Sequence, residues 1–176
     1  PPTFRDEGLR AAIEARRQGK VRYIGFTGHR DPAHHLRLIR KPFDWDTVQM
    51  PINLLDAHYR SFQKEVLPVC SERKIAAIGM KALAGGAIPK QLEIDAGLSR
   101  RYALTHPITS LVCGIRSRDE LRQDLAMARS FKPVSEQEMA QLLAQTETPG
   151  HDGKMEPWKT TEYGSRYHRE QHKGFE

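Results

Sequence analysis

Residues 108–120 read ITSLVCGIRSRDE, an apolar run followed at once by the start of a helix. The run ITSLVCGI (108–115) is typical of a strand that is buried on both faces of a sheet. Ser117 and Glu120 have the spacing of a capping box, which predicts that a helix begins directly after the strand. A strand, a loop and a helix in this order form the repeating unit of parallel sheets.

Three more strands of this kind precede residue 108. They are predicted at VRYIGF (21–26), TVQMPIN (47–53) and IAAIGMK (75–81). Helices are predicted at residues 3–18, 32–40 and 61–73, the last with a kink at Pro68, and from a cap at Asp95 to about residue 105. A second capping box, Ser135 with Glu138, predicts one more helix after that of residue 117.

Four strands separated by helices indicate an α/β fold with a parallel sheet. The chain lacks the G-x-G-x-x-G and P-loop motifs that a doubly wound nucleotide-binding sheet carries after its first strand. The alternative is a (β/α)8 barrel of the TIM type, which takes about 250 residues. The 176 residues and four units of this chain make about half of one. We expect residues 1–146 to form this half barrel and the polar residues 147–176 to form an extended tail.

The composition, 38% hydrophobic and 28% charged, is that of an ordinary globular domain. No apolar run approaches the length of a membrane helix, and the first residues lack the pattern of a signal peptide. Cys70 and Cys113 both lie in apolar runs, as reduced core cysteines do. These features predict a cytoplasmic protein that binds no membrane.

The net charge of +6 belongs to the first part of the chain, because residues 1–41 hold ten Lys/Arg and four Asp/Glu. Residues 42–176 hold eighteen of each. The basic segment lacks interleaved exposed aromatics, so a solvated basic face is favoured over nucleic-acid binding. His29, His34 and His35 have no carboxylate or Cys at a ligand-like spacing, and no metal site is predicted.

Four stretches, in this order and spacing, resemble the last four strands of an aldo-keto reductase: GKVRYIGFTGH, FDWDTVQMPINLLDAHYRSF, IAAIGMKALAGG and LVCGIRSRDELRQDL. The resemblance runs from about Leu9 to Leu143. It implies a barrel that binds NADP(H) or NAD(H) across its carboxyl-terminal face and reduces a small-molecule carbonyl substrate to an alcohol. The family's catalytic Asp, Tyr, Lys and His all precede the strand that ends in GFTGH, so no catalytic residue is assigned here.

The resemblance also implies a set of cofactor contacts. The nicotinamide carboxamide would be bound by Thr27 and Gly28, with His29 as a substitute side-chain donor, and by Gln49. The sequence Met80, Lys81, Ala82, Leu83 replaces the family's usual Tyr-Ser-Pro-Leu, with Met80 against the nicotinamide. Gly85 and Gly86 would let the backbone approach the pyrophosphate. The remaining contacts are at Gly114, Arg116, Ser117, Arg118, Glu120 and Asp124.

The helix that Ser117 caps has free N–H groups and a positive dipole end, which favour an anion. Arg116 and Arg118 flank it, and a 2′-phosphate would suit both, so NADP(H) is favoured over NAD(H). Glu120 and Asp124 stand where the family usually has Gln or Arg, and Asn. Two acidic groups beside a phosphate would weaken its binding or shift the preference toward NAD(H).

Two hypotheses of different class stand side by side. The chain is the cofactor-binding half of a reductase, whose catalytic half is elsewhere, or it is a non-catalytic nucleotide-binding or assembly module. Four barrel strands would leave two open parallel edges. Self-association, or a partner that supplies the N-terminal half, is therefore expected. A nucleic-acid binder is the weakest alternative.

Overall fold

The computed structural model of the protein describes residues 6–160, which form one parallel sheet with helices around it. The strands are β1 (Gly25–Thr27), β2 (Thr47–Pro51), β3 (Ala76–Met80) and β4 (Ser110–Leu111). The helices are α1 (Asp6–Arg17), α2 (Pro32–Ile39), α3 (Phe62–Glu65), α4 (Leu67–Glu72), α5 (Ala87–Gln91), α6 (Ala96–Thr105), α7 (Arg118–Arg129) and α8 (Glu136–Gly150). None of these helices is long and apolar enough to cross a membrane.

The strand order is β1-β2-β3-β4, and every neighbouring pair is parallel. At least one helix lies between each strand and the next, as the sequence predicts. The start that the sequence predicts for the first helix, at residue 3, lies outside the described residues. The order of the sheet brings the carboxyl ends of all four strands, and the loops that follow them, to one side of the molecule.

The core is centred on β2. Val48, Met50 and Ile52 are fully buried, and Phe62 and Cys70 pack into the same cluster. A second cluster lies beyond the strands' carboxyl ends and joins Leu54 and Leu55 to α6, α8 and Trp158, with Tyr102 at its centre. The loops at the carboxyl ends of the strands therefore lie against two apolar clusters.

The outer strands differ from the prediction. β1 covers three residues, where six were predicted, and Tyr23 is 67% exposed. The prediction that residues 108–115 are buried on both faces is wrong, since Val112 is 49% and Ile115 46% exposed. β4 pairs only through Ser110 and Leu111, and α7 has no buried residue. The physical reason is that no described residues form a strand beyond β1 or β4, so the apolar side chains on the outer sides of these strands lack a neighbour to cover them.

Pro68 ends one helix and begins another, rather than only kinking it. The predicted helix at residues 61–73 is divided into α3, capped by Ser61, and α4, with Pro68 in its first turn. Asp95 caps α6 as predicted, and Ser135 with Glu138 forms the complete predicted capping box of α8. The short helix α5 has no counterpart in the prediction.

Residues 147–160 differ from the extended polar tail that their composition predicts. Helix α8 continues to Gly150, and a 3-10 turn follows at Pro157–Lys159. Glu156, Trp158 and Lys159 are buried in this segment. Composition misled because the polar groups here find partners inside the protein; residues 161–176 lie outside the described residues.

Candidate functional site

A cleft of about 460 Å³ opens at the carboxyl-terminal side of the sheet, between the loop after β3 and the start of α7. Eight of the cofactor contacts implied by the sequence line it: Gln49, Met80, Lys81, Ala82, Leu83, Gly85, Gly114 and Arg116. Gly86, Lys90, Arg100, Val112 and Cys113 complete the lining. The fold thus gathers around one space the residues that follow three different strands, from Gln49 to Arg116.

The lining of the cleft is cationic. Lys81, Lys90, Arg100 and Arg116 line it, and no carboxylate is among its lining residues within the described part of the chain. Arg100 and Arg116 pair with carboxylates outside the lining, Asp124 and Glu120, so the excess positive charge comes from Lys81 and Lys90. Cations in a cleft with low-dielectric walls attract anions and concentrate them there. An anionic ligand is therefore favoured.

The loop after β3 brings backbone close to this space. Lys81 (φ 57°), Ala84 (φ 48°), Gly85 (φ 67°) and Gly86 (φ 98°) all have left-handed backbone conformations. Two short bonds tighten the loop, from the Ala84 N–H to the Lys81 carbonyl and from the Gly86 N–H to the Leu83 carbonyl, both at 2.8 Å. Left-handed conformations cost free energy at Lys81 and Ala84, and such strain is common in loops that clamp a ligand.

Gln49 and Met80 meet at the sheet end of the cleft, where the Gln49 amide donates to the Met80 sulfur at 3.3 Å. The backbone of Gln49 is held as well. Its carbonyl accepts from the Gly28 N–H at 3.4 Å and lies 3.2 Å from Nε2 of His35. A carbonyl oxygen can only accept, so Nε2 is the donor in this contact. His35 is buried, and burial lowers its pKa, while this bond raises it. The side chain of Gln49 is thereby presented from a fixed position.

Thr27, Gly28 and His29 are not brought to the wall of the cleft. Gly28 has a packing reason for its missing side chain, because a Cβ there would lie 2.7 Å from Cε1 of His35. The His29 ring faces the Trp158 ring, with centroids 6.5 Å apart. Gly28 therefore serves the packing of His35, and His29 lies toward the carboxyl-terminal segment.

The start of α7 differs from a complete capping box. The Ser117 hydroxyl accepts from the Glu120 N–H at 3.1 Å, as predicted. The Glu120 carboxylate, however, reaches past Ser117 and accepts from the Arg116 N–H at 2.6 Å. This bond, helped by the Arg116 guanidinium, lowers the pKa of Glu120. A carboxylate of the protein itself therefore already occupies one N–H next to the predicted phosphate site, while Arg118 is exposed and outside the cleft lining.

Asp124 does not stand as an uncompensated negative charge beside the cleft. Its Oδ1 pairs with Arg100 at 2.8 Å, and the Arg100 side chain is only 5% exposed. Cys113 lies beside this pair, where burial raises the pKa of its thiol and Asp124 raises it further. The sequence analysis placed Cys113 in the core, but it is half-buried and lines the cleft. The sequence did not indicate that Arg100 lines the cleft. Arg100 lies within a predicted helix, and its partner Asp124 is 24 residues further along the chain.

His58 also serves packing. Nε2 of His58 lies 3.0 Å from the Thr146 hydroxyl, and its ring packs on Gly150. Among residues 6–160 no group of three or more His, Cys, Asp or Glu side chains could hold a metal ion.

The family is decided by the sequence over more than half of the chain. The family model of the aldo/keto reductases matches residues 1–100. The chain belongs to the aldo/keto reductase family. No curated protein matches it.

Solved aldo-keto reductases share the fold. The chain superposes on the holo form of AKR11C1 from Bacillus halodurans with a TM-score of 0.62 and 18% identity, covering 80% of this chain and 55% of that one. It superposes on the thermostable aldo-keto reductase Tm1743, solved with the inhibitor epalrestat, with a TM-score of 0.59 and 19% identity, covering 82% and 56%. The predicted (β/α)8-type half barrel is thereby confirmed, and the chain spans about half the length of these aldo-keto reductases.

Proposed function

We propose that this chain supplies the cofactor-binding half of an NAD(P)H-dependent aldo-keto reductase. The observation that carries the proposal is the cleft at the strands' carboxyl ends, lined by Lys81, Lys90, Arg100 and Arg116. Such a position is where barrel enzymes bind their ligands. A dinucleotide is an anion of the right chemical class, with an aromatic carboxamide at one end and phosphates toward the other.

When bound, the nicotinamide cofactor supplies the hydride that converts a carbonyl to an alcohol. The residues of this chain bind and orient. Gln49 offers its amide to the carboxamide, and Met80 offers a polarizable surface to the ring. Lys81 and Lys90 compensate the charge of the pyrophosphate beside the loop of Gly85. No catalytic residue is assigned to this chain, so hydride transfer would need groups from outside it.

We favour NADP(H) over NAD(H) because Arg116 lines the cleft and Arg118 follows it at the start of α7. Asp124 is compensated by Arg100, so it does not oppose a phosphate as strongly as its charge alone suggests. Glu120 does oppose it, since its carboxylate competes for the Arg116 N–H. Glu120 also pairs with the Arg116 guanidinium at 3.5 Å, so a 2′-phosphate would have to displace this carboxylate to use both arginines.

A titration of the purified chain with NADPH and with NADH, followed by nucleotide fluorescence, tests the proposal. We expect saturable binding that is tighter for NADPH. Lys81→Met should weaken binding about tenfold, as loss of one charge-assisted contact does. Lys20→Met, at an exposed lysine outside the cleft, should leave it unchanged. Absence of nucleotide binding by the unaltered chain would contradict the proposal.

A non-catalytic assembly module is the second candidate, and the open edges of the sheet favour it. Val112, Ile115, Leu121 and Leu125 are each more than 40% exposed beside β4, and Val21 and Tyr23 are exposed beside β1. Exposed apolar groups along an unpaired strand edge favour association with a second copy or with a partner half. Size-exclusion chromatography should give a dimer or larger, and Leu125→Ser with Ile115→Ser should shift it toward the monomer. A soluble monomer of the unaltered chain would count against association.

A further inference from the structure

The C-terminal segment, residues 155–160, folds back onto the loop that follows β2. The ammonium of Lys159 donates to Oδ1 of Asp56 and to the Tyr59 carbonyl, both at 2.7 Å. It also lies 2.6 Å from Glu156, whose other oxygen accepts from the Asn53 amide at 2.9 Å. All four side-chain groups are buried. The single ammonium of Lys159 thus lies between two buried carboxylates. Releasing it would leave both carboxylates without their positive partner, so the cluster holds the segment in one position.

Trp158 lies in the middle of this anchored segment and is 4% exposed. Its ring faces the cleft loop: Nζ of Lys81 lies 4.2 Å from the ring centroid. A Cβ added to Gly85 would contact the same ring at 3.8 Å. On the other side the ring meets that of His29, with centroids 6.5 Å apart. Trp158 therefore joins the loop after β1 to the loop after β3.

Contact with Trp158 acts on a residue that the cleft uses. Lys81 lines the cleft, and its backbone is in the left-handed region. The constrained turn therefore fixes the position from which its side chain starts. An ammonium over an indole face is attracted by the ring quadrupole, and more strongly when water is excluded. Burial lowers the pKa of Lys81, while Glu156 of the same segment raises it.

We propose that Trp158 is a positioning residue of the cleft, which holds the Lys81 ammonium and the adjoining turn in the place where a dinucleotide needs them. The proposal rests on the proposed function. It adds that the segment after α8, which follows the β/α units, helps to shape the cofactor cleft. Trp158 is not itself among the lining residues of the cleft. Because its segment is anchored by Lys159, it gives Lys81 a fixed support rather than a mobile one.

The protein offers a direct probe, since its sequence contains two tryptophans, Trp45 and Trp158. Trp45→Phe leaves Trp158 as the single tryptophan. The oxidised nucleotide NADP+ serves as the probe, because unlike NADPH it does not absorb at the wavelengths of tryptophan emission. Its titration into this variant should change the emission and saturate at the concentration at which NADP+ displaces NADPH. In the opposite variant, Trp158→Phe, the emission of Trp45 should respond far less, because Trp45 is buried in the cluster around β2.

Affinity gives the second readout. Trp158→Leu should weaken NADPH binding about tenfold, whereas Trp158→Phe, which keeps an aromatic face, should stay within about threefold of the unaltered chain. If Trp158 acts through Lys81, the double variant Trp158→Leu with Lys81→Met should lose little more than Lys81→Met alone. Unfolding by urea, measured for each variant, shows which of them are folded at the titration conditions.

A purely structural role for Trp158 predicts a different result. Trp158→Leu would then lower the unfolding midpoint, leave the NADPH affinity of the folded protein unchanged, and add its effect independently to that of Lys81→Met. That outcome, or a silent Trp158 emission during saturable binding, would overturn the inference and leave the proposed function intact. Failure of the unaltered chain to bind NADPH would instead overturn the proposed function and this inference with it.

Discussion

The centre of the sheet and its β4 edge are built from similarly apolar sequence but have opposite surroundings. In β2, Val48 and Met50 are fully buried between the helices and the neighbouring strands. Beside β4, Val112 and Ile115 are about half exposed, and no apolar residue of α7 is fully buried. The cleft spans both regions. The β3 side of the cleft is supported by the buried core, whereas its α7 side is supported by the exposed edge of the sheet.

The largest contrast that this comparison predicts is in stability. Phe62→Ala, at a fully buried position below β2, should lower the free energy of unfolding by about 3–5 kcal/mol. Leu125→Ala, at a 45% exposed position of α7, should change it by less than about 0.5 kcal/mol. Urea unfolding followed by circular dichroism measures both. Similar losses for the two variants would show that α7 is packed in solution and that the comparison does not hold.

A smaller effect should appear in the pH dependence of the central region. Burial lowers the pKa of His35 from its ordinary value of 6.5, so the unfolded chain binds a proton more readily than the folded one. The free energy of unfolding therefore has its full His35 contribution above pH 6.5. It loses this contribution as the pH falls from 6.5 toward the lower pKa of the folded state. The urea midpoint should therefore decrease on acidification, and His35→Gln should flatten the slope.

His34→Gln is the matched control, because His34 is the exposed neighbour of His35 on the same helix. It should keep most of the slope, because His34 is the smallest of the causes that act on the pKa of His35. His58 and His106 also have pKa values lowered by burial, so part of the slope should remain in His35→Gln. An unchanged slope in His35→Gln would show that burial of His35 does not contribute to the pH dependence.

The smallest predicted effect lies at the α7 side of the cleft. Glu120→Gln removes the carboxylate that accepts from the Arg116 N–H, so an incoming phosphate meets less repulsion at the helix start. NADPH binding should become about two- to fivefold tighter, with a lesser change for NADH. Glu136→Gln, a first-turn acid of α8, should change neither affinity. Weaker NADPH binding by Glu120→Gln would mean that the carboxylate orders the site instead of competing with the ligand.

Local signals in the sequence predicted the repeating unit well. The caps Asp95, Ser117 and Ser135 begin helices where expected, and the four strands follow in the expected order. The ends of β1 and β4 were overestimated, because an apolar run does not tell whether a neighbouring strand is there to cover it. Burial is a property of the assembled sheet, and the pattern of one strand does not contain it.

The site was predictable where its residues follow a strand and unpredictable where distant segments meet. Gln49, the turn from Met80 to Gly85, and Arg116 were assigned from the family resemblance, and they do line the cleft. Their contacts with a cofactor stay a prediction. The Arg100–Asp124 pair and the return of Trp158 to Lys81 depend on contacts between residues far apart in the chain. The polar composition of residues 147–160 concealed this return, because Lys159 finds its partners in Asp56 and Glu156.

Hydrogen–deuterium exchange with and without NADPH tests most directly whether the cleft between the β3 loop and α7 binds the dinucleotide. Slower exchange should be confined to the loop at residues 80–86 and to residues 113–118, and α8 should be unaffected. NADPH-dependent protection that misses both segments, or no protection at saturating NADPH, would contradict the account.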